Sequence, residues 1–278
     1  NSINLYPYHC LKFIMDNIGI LGCGWLGLSL AINLKNKEYS VCGSRTSSQG
    51  VLELEKKGIK GFKVIMNRDK SEGIKPFISN LKTLIISIPP KRNFNPHNYS
   101  KTIKKLLEAL DSSKIKRIIF FSSSSIYGSK EGFYDESSSP SPETVSAKEL
   151  LLSEELIRKH NISSTIIRLG GLIGEDRNPI FNLIGKDIKN PKGKVNFIHK
   201  TDAISGIISI LNDENLNGIF NFISPHHPTR EIFYNFFSEK FNLPKPNFKN
   251  EKPLIRIIEG NKISKLTPFN YSVNNLLI

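Results

Sequence analysis

Three glycines raise the first chemical question in this chain. Gly22, Gly24 and Gly27 stand in the run Gly22-Cys23-Gly24-Trp25-Leu26-Gly27, directly after the apolar stretch Ile18-Gly19-Ile20-Leu21. The order G-x-G-x-x-G between a strand and a helix is a phosphate-binding turn. Its first glycine permits the tight turn, its second lets the backbone approach a pyrophosphate, and its third lets the helix pack close to the strand. Unpaired N–H groups at the start of the helix then face the anion. The spacing predicts a dinucleotide held by residues 22–27, against the alternative of a glycine-rich turn with no ligand.

The end of the next strand discriminates between dinucleotides. An Asp or Glu about 20 residues past the turn hydrogen-bonds the adenosine ribose of NAD. Here the segment reads Gly43-Ser44-Arg45-Thr46-Ser47-Ser48, with no acid. A guanidinium at Arg45 can pair with a 2′-phosphate, and the hydroxyls of Ser44, Thr46 and Ser47 can add donors. NADP is therefore expected over NAD, with NAD still possible. The other reading of Arg45 is a surface arginine beside a helix start.

These residues need a scaffold, and the sequence supplies one. Apolar runs at 17–22, 39–44, 61–66, 83–88, 117–123 and 163–170 read as strands. Helical patterns lie between them at 25–35, 48–57, 99–110 and 143–160, the second ending at Gly58. Strands alternating with helices argue an α/β fold, a Rossmann-type doubly wound parallel sheet. The dinucleotide-binding domain is expected over 15–175. A smaller mixed α/β substrate region follows over 176–278, with helices at 201–211 and 229–241 and a strand near 219–223 returning to the main sheet. Residues 1–14 read as an extension, since Met15 is followed at once by the first strand.

Composition narrows the classes. The chain has 278 residues, 38% hydrophobic and 23% charged, enough for a sizeable core. Its formal net charge is +14, but the lysines are spread along the chain with no arginine-rich block, so nucleic acid is not the expected partner. Cys10, Cys23 and Cys42 have no paired spacing, which fits a reducing cytoplasm. No apolar run approaches the roughly 20 residues that span a bilayer. His199, His226 and His227 lack metal-ligand spacing with Cys or carboxylates, so no metal site is expected.

In combination, the glycine loop, "FFSSSSIYG" at 120–128, "RLGGLIGEDRNP" at 168–179 and "NFIHKTDA" at 196–203 resemble the extended and atypical short-chain dehydrogenase/reductases, in particular sugar-nucleotide epimerase/dehydratase-like proteins. The resemblance covers about residues 15–245. It implies a Ser, a Tyr and a Lys at work: the Ser orients a substrate oxygen, the Tyr moves the proton, and the Lys lowers the tyrosine pKa. The serine position is Ser123, with Ser124 as the fallback. The Tyr-x-x-x-Lys pattern is missing. If Lys148 is the family lysine, the tyrosine position holds Thr144. If Glu154 is the family's helix glutamate, the two positions hold Ser146 and Leu150. Lys148 then reads either as the family lysine or as a solvated first-turn lysine. Tyr127 and Tyr134 are the nearest phenols that could serve as the acid. The resemblance also places Pro89 and Pro90 beside the adenosine and ribose. It turns Arg168, Arg177, Asn178 and His199 toward a substrate cleft, and it implies a homodimer through helices 99–110 and 143–160. Two functions remain open: an NAD(P)-dependent oxidoreductase, epimerase or dehydratase acting on a nucleotide sugar or similar polar carbonyl, or a non-catalytic NADP-binding sensor.

Overall fold

The computed structural model describes residues 17–90, 96–249 and 251–278; the expected extension at residues 1–14 lies outside the described residues. The main sheet is made of β1 (Ile18–Leu21), β2 (Val41–Arg45), β3 (Lys60–Lys63), β4 (Thr83–Ile86), β5 (Arg117–Ser123), β6 (Ser163–Leu169) and β7 (Gly218–Phe222). Their spatial order is β3-β2-β1-β4-β5-β6-β7, and every pairing is parallel. β1 and β4 are buried at every position. Strands covered on both faces must be apolar throughout, which is why they read as unbroken hydrophobic runs. The chain winds one way from β1 to β3 and the other way from β4 onward. The crevice at the carboxyl ends of β1 and β4 is therefore a topological switch point, where open α/β sheets bind ligands.

Helices α1 (Trp25–Asn36), α2 (Ser48–Lys56), α3 (Ile74–Ile78), α4 (Tyr99–Leu110), α5 (Val145–Lys159), α6 (Lys200–Leu211), α7 (Arg230–Lys240) and α8 (Lys262–Leu266) cover the sheet and its far end. Their buried stripes follow the helical period: Leu26, Leu30 and Leu34 in α1, and Ile103, Leu106, Leu107 and Leu110 in α4. α1 and α6 pack on one face of the sheet, and α3, α4 and α5 on the other. Hydroxyl caps fix several helix starts. Ser47 accepts from the Gly50 N–H at 3.1 Å and Thr144 from the Ala147 N–H at 3.2 Å. Among the described residues, no helix is long and apolar enough to cross a membrane.

One expected strand is broken. The apolar run 61–66 does not continue as one strand, because Ile65–Met66 folds back antiparallel against Ser71–Glu72. Asn67 makes the turn: its Oδ1 accepts from the N–H groups of Asp69 and Lys70, both at 2.8 Å.

Outside the main sheet the chain forms short parallel pairs, Gly171–Ile173 with Phe197–His199 and Gly132–Tyr134 with Arg256–Ile258. A third core gathers Ile173, Ile180, Phe233 and Phe237 with Leu276 from the tail. Two side chains tie that tail down. Buried Asp202 accepts from the Ser272 and Val273 N–H groups at 2.8 and 3.1 Å, and His226 Nδ1 accepts from the Leu276 N–H at 3.0 Å.

The His226 contact requires a neutral imidazole. Burial and the nearby Lys194 hold the pKa of His226 below its ordinary 6.5, and burial does the same to His227. The unfolded chain thus takes up protons first as pH falls, so this contribution to stability is complete above 6.5 and is lost as pH drops from there through the lower folded-state value. Urea midpoints measured between about pH 8 and pH 5 are expected to fall on the acid side, and His226→Leu is expected to flatten that fall.

Candidate functional site

The glycine turn is held from below by β2. The Gly22 N–H donates to Ser44 Oγ and the Cys23 N–H to the Ser44 carbonyl, both at 2.9 Å. Gly22 has φ +95°, a left-handed conformation that favours glycine. A Cβ on Gly27 would lie 2.7 Å from the Gly22 carbonyl oxygen, so helix and turn approach too closely for any side chain there. A Cβ on Gly24 would meet nothing within 4 Å, which leaves open space over the start of α1. Burial pushes the Cys23 thiol up to about 12, and Cys23 and Leu26 pack inward, so both offer a ligand only their backbone. Ser44, expected to add a hydroxyl donor beside Arg45, is buried, lines the groove and accepts from the turn.

A groove of about 540 Å³ runs outward from this turn. Arg45 and Thr46 form one stretch of its wall, Ser87 to Pro89 another, and the hairpin tip at 66–69 a third. Pro90 is not among its lining residues. Arg45 lies along α2, where a Cβ on Gly50 would stand 3.0 Å from its Cβ and Cγ. Its Nη2 is 3.7 Å from Glu53, a long surface contact, and its Nε is buried without a hydrogen-bond partner. The guanidinium is partly exposed on the groove wall, where an anion could pair with its open N–H groups. Open N–H groups at a helix start, an apolar rim at Ile88 and Met66, and an under-satisfied guanidinium together fit a dinucleotide.

The expected catalytic residues do not come together. Ser123 ends β5, half-buried, and its Oγ accepts from the Ser125 N–H at 3.2 Å, which leaves its own proton free to donate. The fallback Ser124 is buried. On α5, Ser146 and Leu150 face the core while Lys148 and its capping neighbour Thr144 are exposed. Glu154 is buried against Arg168 at 2.7 Å, so α5 turns its Glu154 side inward. Lys148 is a solvated lysine, because its position turns away from the face that carries Ser146 and Glu154.

Tyr127, expected as an acid, is fully buried. Its hydroxyl donates to Asn221 Oδ1 and accepts from Arg168 Nη1, each at 2.9 Å. Burial raises its pKa against the opposing Arg168 cation, so it is a poor proton donor at neutral pH. The other phenol, Tyr134, packs its ring 5.6 Å from that of Tyr127 and donates to the Lys130 carbonyl at 3.1 Å.

The substrate-side expectations divide. Arg168 is buried and spends its guanidinium on Glu154 and Tyr127, so it holds the sheet to α5 and faces no cleft. Asn178 is likewise structural: it is buried, and its Oδ1 caps the short helix 179–182 through the Ile180 N–H at 3.0 Å. His199 is buried at the start of α6, its Nδ1 accepting from the Thr201 N–H at 3.3 Å and its Nε2 3.8 Å from Glu175. Arg177 remains exposed, 5.1 Å over the Trp25 ring.

Sequence reasoning missed two features here. The hairpin was hidden because its first strand, Ile65–Met66, continues the apolar run 61–66, while its tip falls in the polar stretch 67–70. A contact from the distal region was also missed: the Trp25 indole N–H donates to Asp176 at 2.9 Å, and Lys200 reaches both that carboxylate at 3.1 Å and the ring face at 4.8 Å.

Comparison with known proteins agrees with this geometry. A family model described as the NAD dependent epimerase/dehydratase family matches residues 91–221. Protein YeeZ of Escherichia coli K12 is 30% identical over 274 residues, 95% of this chain and 98% of the relative. The chain is also similar to a solved UDP-glucuronic acid 4-epimerase from Bacillus cereus in complex with NAD, with TM-score 0.76, 21% identity and coverage of 92% and 91%. A functionally unknown conserved protein from Silicibacter pomeroyi superposes with TM-score 0.74 at 16% identity, covering 94% of this chain and 96% of its own.

Structural roles for Arg168 and Tyr127 have measurable consequences. Arg168→Met strands the Glu154 charge and is expected to cost about 3–5 kcal/mol in urea unfolding, whereas the double variant with Glu154→Leu recovers most of that loss. Tyr127→Phe is expected to cost about 1–3 kcal/mol through the unpaired Asn221 and Arg168 groups. A Phe variant as stable as the parent would remove the structural role.

Proposed function

The chain belongs to the NAD dependent epimerase/dehydratase family, and from that membership we propose that it binds a nicotinamide dinucleotide along the groove, NADP in preference to NAD, and acts on a polar carbonyl compound of the nucleotide-sugar class. The observation that carries the cofactor preference is Arg45: it stands where an acidic residue would hold a free ribose, on the groove wall, with only a long surface contact to Glu53. In this assignment the N–H groups of Trp25 and Leu26 face the pyrophosphate and Arg45 takes the 2′-phosphate. Ser123 donates its proton to a substrate oxygen. The bound cofactor supplies or accepts the hydride. A UDP-sugar as substrate is suggested by the B. cereus structure of similar fold, whose enzyme is a UDP-glucuronic acid 4-epimerase. Exposed Val145 and Leu152 on α5 support a homodimer through α4 and α5. The free thiols of Cys23 and Cys42 support a cytoplasmic setting.

A specific observation favours a second reading, a non-catalytic NADP-binding sensor. In either alignment the position of the family tyrosine holds an aliphatic hydroxyl, Thr144 or Ser146, a far weaker acid than a phenol, while Tyr127 is buried and Lys148 exposed.

Calorimetric titration separates these outcomes. NADPH is expected to bind about tenfold tighter than NADH, and Arg45→Ala to erase the difference. Gly24→Val is expected to fill the space over α1 and abolish binding of both, while leaving the unfolding transition nearly unchanged. Nucleotide sugars that change the nicotinamide absorbance of the loaded protein establish turnover; tight NADPH binding with no such change across the panel selects the sensor. Failure to bind either cofactor overturns both.

A further inference from the structure

We infer that Arg68 is a second specificity residue of the groove, closing with Arg45 on the 2′-phosphate of the dinucleotide as a two-guanidinium clamp; this rests on the NADP assignment above. Arg68 stands at the tip of the hairpin that follows β3, and both arginines line the same groove. The hairpin is anchored at both ends. At its base the Val64 N–H donates to the Arg45 carbonyl at 2.9 Å, so the hairpin starts from the residue it is to assist. At its tip the Asn67 N–H donates to the Lys70 carbonyl at 3.0 Å, and Lys105 from α4 donates to the Asp69 carbonyl at 2.9 Å. The tip backbone therefore presents Arg68 from a fixed platform, while its long side chain stays free to move.

The charges around the pair are provisional. Arg68 is held by its chain neighbour Asp69, Nε to Oδ1 at 2.9 Å and Nη2 to Oδ2 at 3.3 Å, with side-chain exposures of 53% and 68%. An ion pair that exposed is worth little, so leaving it costs little. Among the described residues, Arg45 has only the distant Glu53 as an ion-pair partner. A phosphate monoester brings close to two negative charges and three acceptor oxygens, more than a single guanidinium fork satisfies. Two forks suit it, and Asp69 is then the counter-ion that Arg68 exchanges for the phosphate.

The test titrates the full chain with NADPH, NADH, 2′,5′-ADP and 5′-AMP, in the parent, Arg68→Ala, Asp69→Asn and Arg45→Ala forms. Arg68→Ala is expected to weaken NADPH and 2′,5′-ADP about tenfold and leave NADH and 5′-AMP unchanged. Asp69→Asn is expected to tighten the two phosphorylated probes alone. Equal weakening of all four probes by Arg68→Ala would mean that Arg68 stacks on the adenine, and it would overturn the clamp. If Arg68→Ala has no effect while Arg45→Ala erases the preference, the clamp fails and the NADP assignment survives. If the parent shows no preference for the phosphorylated probes, both fail together.

Discussion

The ion pair between Glu154 and Arg168 sits at the centre of the molecule, with both side chains 3% exposed or less. Two charges taken that far from water are tolerated only when their hydrogen bonds are filled. Here they are. Glu154 also accepts from the Ser122 hydroxyl, and Arg168 reaches Tyr127, which leans on Asn221; the Asn221 amide donates to the Glu259 carbonyl and its N–H to Glu136. This chain of contacts joins α5 to β5, β6 and β7 and fixes their registers. It also decides which way the end of β5 faces. Side chains alternate along a strand, so pinning Ser122 to Glu154 turns Ser123 to the opposite side.

A second constraint acts at the other end of the crevice. Ser44 holds the glycine turn with its side chain and its carbonyl together, so the turn and the end of β2 move as one piece. Arg45 is the next residue along. The position that reads the cofactor is thus mechanically linked to the backbone that would carry the pyrophosphate, and the hairpin base is bonded to the same residue. Electrostatics and chain geometry converge on one short stretch, residues 43–46.

The sheet was legible in the sequence because strands buried on both faces cannot avoid being apolar, and α4 because its buried residues keep a strict helical period. The glycine turn was legible because its residue types answer to backbone geometry alone. Polar residues were harder. Arg168 and Asn178 carry side chains suited to a ligand, yet one neutralises a buried glutamate and the other caps a short helix; residue type and neighbours in sequence are the same in either role. Tyr127 reads as an available phenol until its partners Arg168 and Asn221, 41 and 94 residues away, are in place. The hairpin at 65–72 was missed because Ile65 and Met66 prolong an apolar run, and its return strand, Ser71–Glu72, is two polar residues with no strand pattern. Lys148 could be read as a working lysine or a solvated one, and only the packing of α5, with Glu154 inward, shows that Lys148 lies on the exposed side.

Trp25 has one further consequence. It is the chain's only tryptophan, and it occupies the first position of α1 with its indole N–H on Asp176 and two cations within 5.1 Å of its ring. The intrinsic indole emission of this protein therefore arises from a single place, the joint between the glycine turn and the distal loop at 174–177. Charges beside an indole shift the energy of its excited state, so the colour of that emission is an optical gauge of whether the joint is closed. The molecule carries its own label where its two halves meet, and no foreign dye is needed to watch them.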